Sequence, residues 1–361
     1  MVNLHAALSR GTVGLVLLGL LISQSVIANH NANPWTLNVY FENDLFTESD
    51  QNYTNGIRFS WVSPDISSYE KDPILPPWLR KVNDTLDFLH QLKGRDRPSR
   101  NLVVSLGQLM YTPSSIEAKA LLADERPYAG FLYTEFAYHT RSRNHLDSVG
   151  LTLGIVGPSA RAHEAQDWIH DLRGFNKFNG WDNQLEDELG VQLFYEHKRR
   201  VFDRPLRARV GQTLRTDFSH DLIWHRGVSL GNVATYLNAG AEYRIGWRLP
   251  SDFGTSAVRP AGDNSAPGRR DPRLRHNGFS GLHFFFSADV RLVGRDIFLD
   301  GNTFKDSHSV DKERLVADLS AGVSFTAGHW KFSYARVIRT REFKRQPHHH
   351  NYGSLSISYS W

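Results

Sequence analysis

The chain of 361 residues carries 42 basic and 38 acidic side chains, a formal net charge of +4, and no cysteine. So even a balance leaves no basic footprint for a nucleic acid, and the protein folds without disulfides in whatever compartment it occupies. Mean hydropathy is −0.43, and past the N-terminal region no stretch stays apolar for the ~18 residues of a membrane helix.

Arg10, the mostly apolar run Gly11–Ile22 and the small residues up to Ala28 form the charged, apolar and cleavage regions of an export signal. Residues 1–28 are therefore read as a signal peptide and 29–361 as one mature domain. An exported chain without a membrane helix is a soluble protein or a barrel.

Segments 35–45, 55–63, 101–111, 130–141, 146–157, 190–201, 205–216, 233–247, 279–292, 314–326, 329–340 and 352–361 read as strands, each near the ~10 residues of a tilted span. Trp35, Leu37, Val39 and Phe41 share one face of the first, with Thr36, Asn38, Tyr40 and Glu42 opposite. The series Leu282 to Leu292 and Leu315 to Phe325 alternate in the same way. The last strand sets Gly353, Leu355, Ile357, Tyr359 and Trp361 against four serines, and a soluble edge strand rarely exposes Trp and Tyr like this. Aromatic residues make up 12% of the chain, enough for girdles at both membrane interfaces.

The expectation is all-β: an antiparallel transmembrane β-barrel of twelve strands with long extracellular loops, one carrying a short helix, and both termini in the periplasm. Side chains can fill a lumen of that size, so no open channel is required. Parity assigns tight turns at Ser142–Asn144, Phe202–Arg204 and Ala327–Gly328 to the periplasmic end. Two long segments, 64–100 and 248–278, land there too, either as excursions or because the strand count is off by a pair.

The chemistry gathers at the opposite rim. Glu42-Asn43-Asp44-Leu45-Phe46 leaves the first strand there, Tyr53-Thr54-Asn55 enters the second, and Asp124-Glu125-Arg126-Pro127-Tyr128-Ala129-Gly130 leads into the fourth. Loop 158–189 opens with a helix from Pro158 and Ser159 to Gly174, on which Gln166, His170 and Arg173 share a face. Taken singly these are turn formers, a solvated histidine and an acidic loop. Together, carboxylate and amide oxygens near a helix histidine are the parts of a hard-cation site beside a general base. All-oxygen ligation favours Ca²⁺ over zinc, because no cysteine exists and no histidine pair has helical zinc spacing.

Glu42-Asn43-Asp44-Leu45-Phe46, Tyr53-Thr54-Asn55-Gly56, Arg126-Pro127-Tyr128-Ala129-Gly130, Gly157-Pro158-Ser159 with Gln166 and His170, Gly180-Trp181-Asp182-Asn183-Gln184 and Arg248-Leu249-Pro250-Ser251-Asp252-Phe253-Gly254 resemble, in order, blocks of the lipid A deacylase LpxR family of outer-membrane proteins. The resemblance implies a twelve-stranded barrel that removes the 3′-linked acyloxyacyl group of lipid A, the lipid of lipopolysaccharide, with Ca²⁺ polarising the ester and a histidine activating water. By position it makes His170 the base and Gln166 its neighbour, sets Asn43 and Asp44 at the metal, and turns Thr54 towards them. An acidic residue beyond the histidine is also implied. Asp182, Glu186 and Glu188 remain open, with Glu188 favoured as a metal ligand. Arg126, Tyr128 and Arg173 are the expected substrate contacts. The expected protein is a monomer whose partners are lipid A and the outer membrane. The rivals are an outer-membrane phospholipase with a serine nucleophile and a non-enzymatic porin or structural barrel.

Overall fold

The structure, a computed structural model, describes residues 33–43, 52–85, 98–174, 176–206, 208–210, 213–215, 217–254, 265–268, 271–276 and 278–361. The signal-peptide reading of 1–28 and the position of Asp44 fall outside those residues.

Twelve strands close an antiparallel barrel. In chain order they are β1 (Thr36–Asn43), β2 (Asn52–Val62), β3 (Ser99–Thr112), β4 (Ala129–Arg141), β5 (His145–Val156), β6 (Glu188–Pro205), β9 (Phe218–Gly231), β10 (Ala234–Trp247), β11 (Phe279–Asp296), β12 (Leu315–Ala327), β13 (Trp330–Arg339) and β14 (His350–Ser360). A separate hairpin pairs β7 (Ala208–Val210) with β8 (Thr213–Arg215). The final strand closes on the first with Val39 opposite Ile357, and Trp35 and Trp361 exchange backbone hydrogen bonds of 3.0 Å. Closure leaves the wall no open edge, which a bilayer demands of any sheet that crosses it.

The expected strand 205–216 is a correction. Its Leu206, Ala208 and Val210 imitate a wall strand, but the seventh wall strand is β9, where His220, Asp221, His225 and Arg226 break up the apolar series. The turn expected at Phe202–Arg204 lies inside β6. The count of twelve is unaffected, so segments 64–100 and 248–278 are true excursions at the end that carries both termini, here called the terminal end. The opposite end is the distal end.

Alternation sorts every wall residue. Leu189, Leu193, Leu230, Leu237, Phe284, Phe286 and Leu319 point outward and are more than half exposed. At the terminal end this band is bordered by packed rings: Trp330 tilted against Tyr359 at 4.5 Å, Tyr359 stacked on Trp361 at 5.8 Å and Trp247 on Phe279 at 5.7 Å. An apolar outward band with an aromatic border is the surface of a membrane barrel.

Inward faces hold buried ion pairs stacked along the lumen. Near the middle Arg58 meets Glu135 at 2.6 Å. Nearer the distal mouth Asp318 takes two bonds from Arg339, at 2.7 and 2.9 Å, and lies 3.2 Å from Arg291. The second excursion enters the terminal end of the lumen and sets Asp252 among three cations: Arg244 at 2.5 Å, Lys331 at 2.7 Å and Arg273 at 3.5 Å.

The first excursion stays outside. Ile66, Tyr69 and Leu75 pack on the outward side chains Leu102 and Tyr138, and helix α1 (Pro77–Thr85) is tied down by Asn83, whose amide donates to the Tyr69 carbonyl at 2.7 Å.

Asp252 is the shared acceptor of three buried cations, so removing it leaves uncompensated charge at a cost of about 3–5 kcal/mol. Asp252→Leu should lower the temperature at which the folded band is lost on unheated SDS gels, and adding Lys331→Met should restore part of that loss.

Candidate active site on the outward wall

Strand register draws one row across four neighbouring strands at the distal end: Asn43 faces Asn55, Asn55 faces Met110, and Met110 faces Gly130. In β1 the buried inward set is Thr36, Asn38, Tyr40 and Glu42, so Asn43 falls with Leu37, Val39 and Phe41 on the outward face. Asn55 precedes the outward residues Ile57, Phe59 and Trp61 by the same step of two, and Met110 follows Leu106 and Gln108. Outward side chains lower on this wall, such as Leu106 and Phe136, are exposed, whereas Asn43, Asn55 and Met110 are buried. Thr54 is the extra residue of a β-bulge between Tyr53 and Asn55, a device that re-aims neighbouring side chains at sheet rims. Its own side chain lies outside the described residues.

A helix covers part of the row. Beyond β5 the chain turns at Gly157, with φ of 105° and its N–H on the Gly130 carbonyl at 3.0 Å. A single 3₁₀ turn, Pro158–Ala160, precedes α2 (Ala162–Arg173), so the helix proper starts later than Pro158 and Ser159 suggest. Gly174, at φ 70°, ends it as expected. Gln108 pins the turn by donating to the Ala160 carbonyl at 2.7 Å. Gly130 permits the docking: a Cβ there would lie 2.5 Å from the Ala162 Cβ and 3.1 Å from that of Ala160. Beneath the helix Met110, Tyr128, Ala162, Phe178 and Trp181 form one apolar cluster.

Gln166 and His170 point into this packed zone and are both buried. The His170 Nδ1 lies 2.5 Å from the Asn176 carbonyl. A carbonyl only accepts, so Nδ1 carries a proton, and in the neutral ring that puts the lone pair on Nε2, the tautomer that a general base needs. The Phe178 ring meets the imidazole edge-on at 5.9 Å. Trp181, whose indole N–H can only donate, gives it to the Gln166 Oε1 at 2.8 Å. That bond fixes the amide orientation and leaves Gln166 Nε2 buried with no partner among the described residues. A buried unpaired donor costs about 1–3 kcal/mol and is retained where something else is to accept from it. Trp181 and Gly130 stand in the sequence motifs without an assigned role. The structure makes the first the orienter of Gln166 and the second the seat of the helix.

The remaining candidates separate. Tyr128 is buried against Trp181 at 5.1 Å and Phe178 at 6.2 Å, and burial raises its hydroxyl to about 12, so it supports the helix from below rather than facing a ligand. Arg126 is buried beside Glu342 at 3.1 Å, its guanidinium over the Tyr111 ring at 4.5 Å. Glu188 belongs to the inward series of β6 and accepts from Asn232 at 2.9 Å, Asn302 at 3.2 Å and the Thr303 N–H at 2.7 Å. The wall thus stands between Glu188 and the outward Asn43, and the glutamate ties loops together. Glu186 pairs with Lys305 at 3.1 Å, and Asp182 is exposed. The Arg173 side chain and all of Asp44 lie outside the described residues. Among the described residues no group of three or more histidine, aspartate or glutamate side chains gathers as a cation site. The amide oxygens of Asn43 and Asn55, one residue from Asp44, are nevertheless hard donors of the kind that Ca²⁺ takes.

The family model described as "Outer membrane protein LpxR" matches residues 15–361. Among solved structures, LpxR from Salmonella typhimurium overlays with a TM-score of 0.66 at 17% identity, covering 90% of this chain and 99% of that one. The β domain of the Bordetella autotransporter BrkA covers 92% of this chain and 100% of its own, with a TM-score of 0.42 at 9% identity. No curated protein matches the sequence.

Two outcomes follow from this geometry. Gly130→Val should drive a side chain into Ala162, so that amides of 162–173 exchange faster with deuterium while β3 and β4 stay protected. At Glu342 burial opposes the charge, but Arg339 and Arg126 hold the carboxyl down from 4.5 to about 2. A depressed carboxylate adds stability above its unfolded value and loses it as pH falls towards the folded one. Glu342→Gln should therefore melt below wild type at pH 7, the gap closing between pH 4.5 and about 2.

Proposed function

The chain belongs to the LpxR family of outer-membrane proteins, and from that premise we propose that it hydrolyses the ester of the 3′-linked acyloxyacyl group of lipid A in the outer leaflet. The observation that carries the reading is the pairing, on one buried helix face over the outward wall, of an imidazole whose Nδ1 is held by a carbonyl with an amide donor that has no partner among the described residues. A site on the outward wall is reached sideways from the membrane, as a lipid substrate requires. The orientation follows the family's architecture: both termini in the periplasm, α2 at the outer rim.

His170 Nε2 takes a proton from water as the oxygen attacks the carbonyl carbon, a contribution of roughly 10²–10⁴-fold. Its Nδ1–H, held by the Asn176 carbonyl, keeps the ring aimed and stabilises the imidazolium. Gln166 Nε2 donates to the carbonyl oxygen as negative charge grows there, and loss of one such donor costs roughly 10²–10³-fold. The bond between the former carbonyl carbon and the sugar oxygen then breaks, the sugar alkoxide takes the proton from His170, and the acyloxyacyl acid leaves. Asn43, Asn55 and Asp44 are the residues that would hold Ca²⁺, which when bound supplies Lewis-acid stabilisation of the oxyanion. Phe41, Ile57, Leu106 and Leu132 give the acyl chains an apolar wall below the site.

The rivals gain no observation. Ser159, the serine nearest α2, donates its hydroxyl to Asp187 at 2.6 Å rather than to a histidine. The ion pairs that bridge the lumen at its distal part, middle and terminal part argue against an open channel.

The test is mass spectrometry of lipid A incubated with the refolded mature protein, with Ca²⁺ and then with EDTA. One acyloxyacyl unit should be lost, the loss should stop on chelation, and His170→Ala and Gln166→Leu should each slow it at least roughly 10²-fold with the barrel still folded. Release of fatty acid from glycerophospholipid alone, or activity indifferent to His170, would overturn the proposal.

A further inference from the structure

The outward wall carries a second polar cluster, at the terminal end of β5 and the neighbouring middle stretches of β6 and β9. Along β6 the outward residues run Leu189, Val191, Leu193, then Tyr195, His197 and Arg199. Register sets Asp147, His197 and Arg226 in one row, and His145, Arg199 and Trp224 in the next. All six share the face that carries Leu151, Leu153, Val228 and Leu230 into the membrane.

A charge on the lipid-facing surface is costly at mid-bilayer and nearly free at the interface. His145, Asp147 and Arg199 therefore mark the headgroup level of the leaflet at the terminal end, where Trp247 on Phe279 and Trp330 on Tyr359 form the border elsewhere. Arg226 starts deeper, eight residues along β9 from Phe218, the strand partner of Trp247, and its long side chain reaches back towards that level. The one carboxylate is already committed: Asp147 accepts from the Tyr195 hydroxyl and from His197 Nδ1, each at 2.8 Å. Arg199 and Arg226 are exposed and make no ion pair among the described residues. The Arg226 guanidinium lies over the Trp224 ring at 5.6 Å, bent towards the terminal end, and the His197 ring sits 5.5 Å from the same indole.

A separate observation points the same way. The first excursion abuts the patch, with the Tyr69 hydroxyl 3.4 Å from the hydroxyl of Thr140, the strand partner of Asp147. It leaves Ile74, Trp78 and Val82 exposed at a spacing of four, Trp78 at 67%, beside Lys81. Apolar side chains with an adjacent cation, set on a membrane wall, are the composition of an interfacial anchor.

We infer that His145, Arg199 and Arg226, flanked by the 66–85 shelf, form a binding site for the headgroup phosphate of an anionic glycerophospholipid of the inner leaflet. The two arginines hold the phosphate, while Trp224 and the shelf border the glycerol and upper acyl chains. Asp147 holds His197 back from the phosphate and keeps the site from collapsing into internal pairs. The assignment to the inner leaflet rests on the orientation proposed above, with α2 outward.

Native mass spectrometry of the refolded mature protein, released from micelles containing equal phosphatidylglycerol and phosphatidylethanolamine, tests this. Wild type should retain phosphatidylglycerol preferentially. Arg199→Gln/Arg226→Gln should reduce that preference by roughly ten-fold or more, since each basic residue at an anionic lipid surface is worth about a factor of five. Arg199→Lys/Arg226→Lys should retain most of it, and lipid A hydrolysis should be unchanged in both. An equal preference in wild type and the glutamine pair, or none in wild type, would overturn the site. If, with lipid A added to the micelles in equal amount, the arginines retain it over phosphatidylglycerol, the orientation fails while the catalytic proposal, tested by His170, stands apart. A folded, heat-modifiable band in each variant keeps misfolding from imitating a loss.

Discussion

Closure of β14 onto β1 constrains the rest of the molecule. Inside a bilayer a backbone N–H or C=O has no water to turn to, so each wall strand must be paired on both sides. Pairing fixes register, and register with a period of two gives every wall residue a side from which it cannot move without shifting its whole strand. Asn43 lies outward because Leu37, Val39 and Phe41 do, and Glu188 inward because Gln192 and Glu196 do. The family resemblance implies an acidic residue beyond the histidine and favours Glu188 for it, beside Asn43 at the metal. The wall assigns them to opposite faces.

That rule makes polar residues on the outward face expensive, and the structure handles them in two ways. At the distal end it brings in α2, which packs Met110, Tyr128, Phe178 and Trp181 beneath itself and turns the outward wall there into protein interior. Such an enclosure is drier than a rim loop, so a hydrogen bond formed inside it is stronger and an unmade one dearer. Below it the outward cations of β6 and β9 are left uncovered, within reach of the level where headgroups replace hydrocarbon. Inward polarity is met differently again, by pairing carboxylates with arginines and lysines across the lumen.

Legibility followed the same division. Strands whose faces differ sharply in polarity were readable: β1, β11, β12 and β14 fall within a few residues of their expected bounds. β9 was not, because its outward histidine and arginine resemble a loop until a membrane interface explains them. The helix carrying Gln166 and His170 could be read from spacing, and so could the outward side of Asn43, since it continues the step of two from Phe41. The partners of Glu188 could not: Asn232 and Asn302 are 44 and 114 residues away, joined to it only by the closed wall. Tyr128 is expected at the substrate, and only the docking of the helix at Gly130 and the packing of Trp181 and Phe178 show that it is covered.

The Trp181–Gln166 bond connects the fold to the chemistry. An amide side chain offers both a donor and an acceptor, and a site that must stabilise an oxyanion needs the donor turned inward every time. A hydroxyl at position 181 would donate or accept and leave the amide free to flip. Indole donates only, so it engages the oxygen and leaves the NH₂ for the ligand. The Asn176 carbonyl does the same for the imidazole, accepting from Nδ1 and so presenting the lone pair on Nε2. Both orienting groups come from the stretch after α2, and Tyr128 beneath the helix anchors that stretch through the Leu185 N–H at 2.9 Å. Tyr128 therefore serves the site without facing a substrate, by holding in place the segment that orients the residues in contact with one.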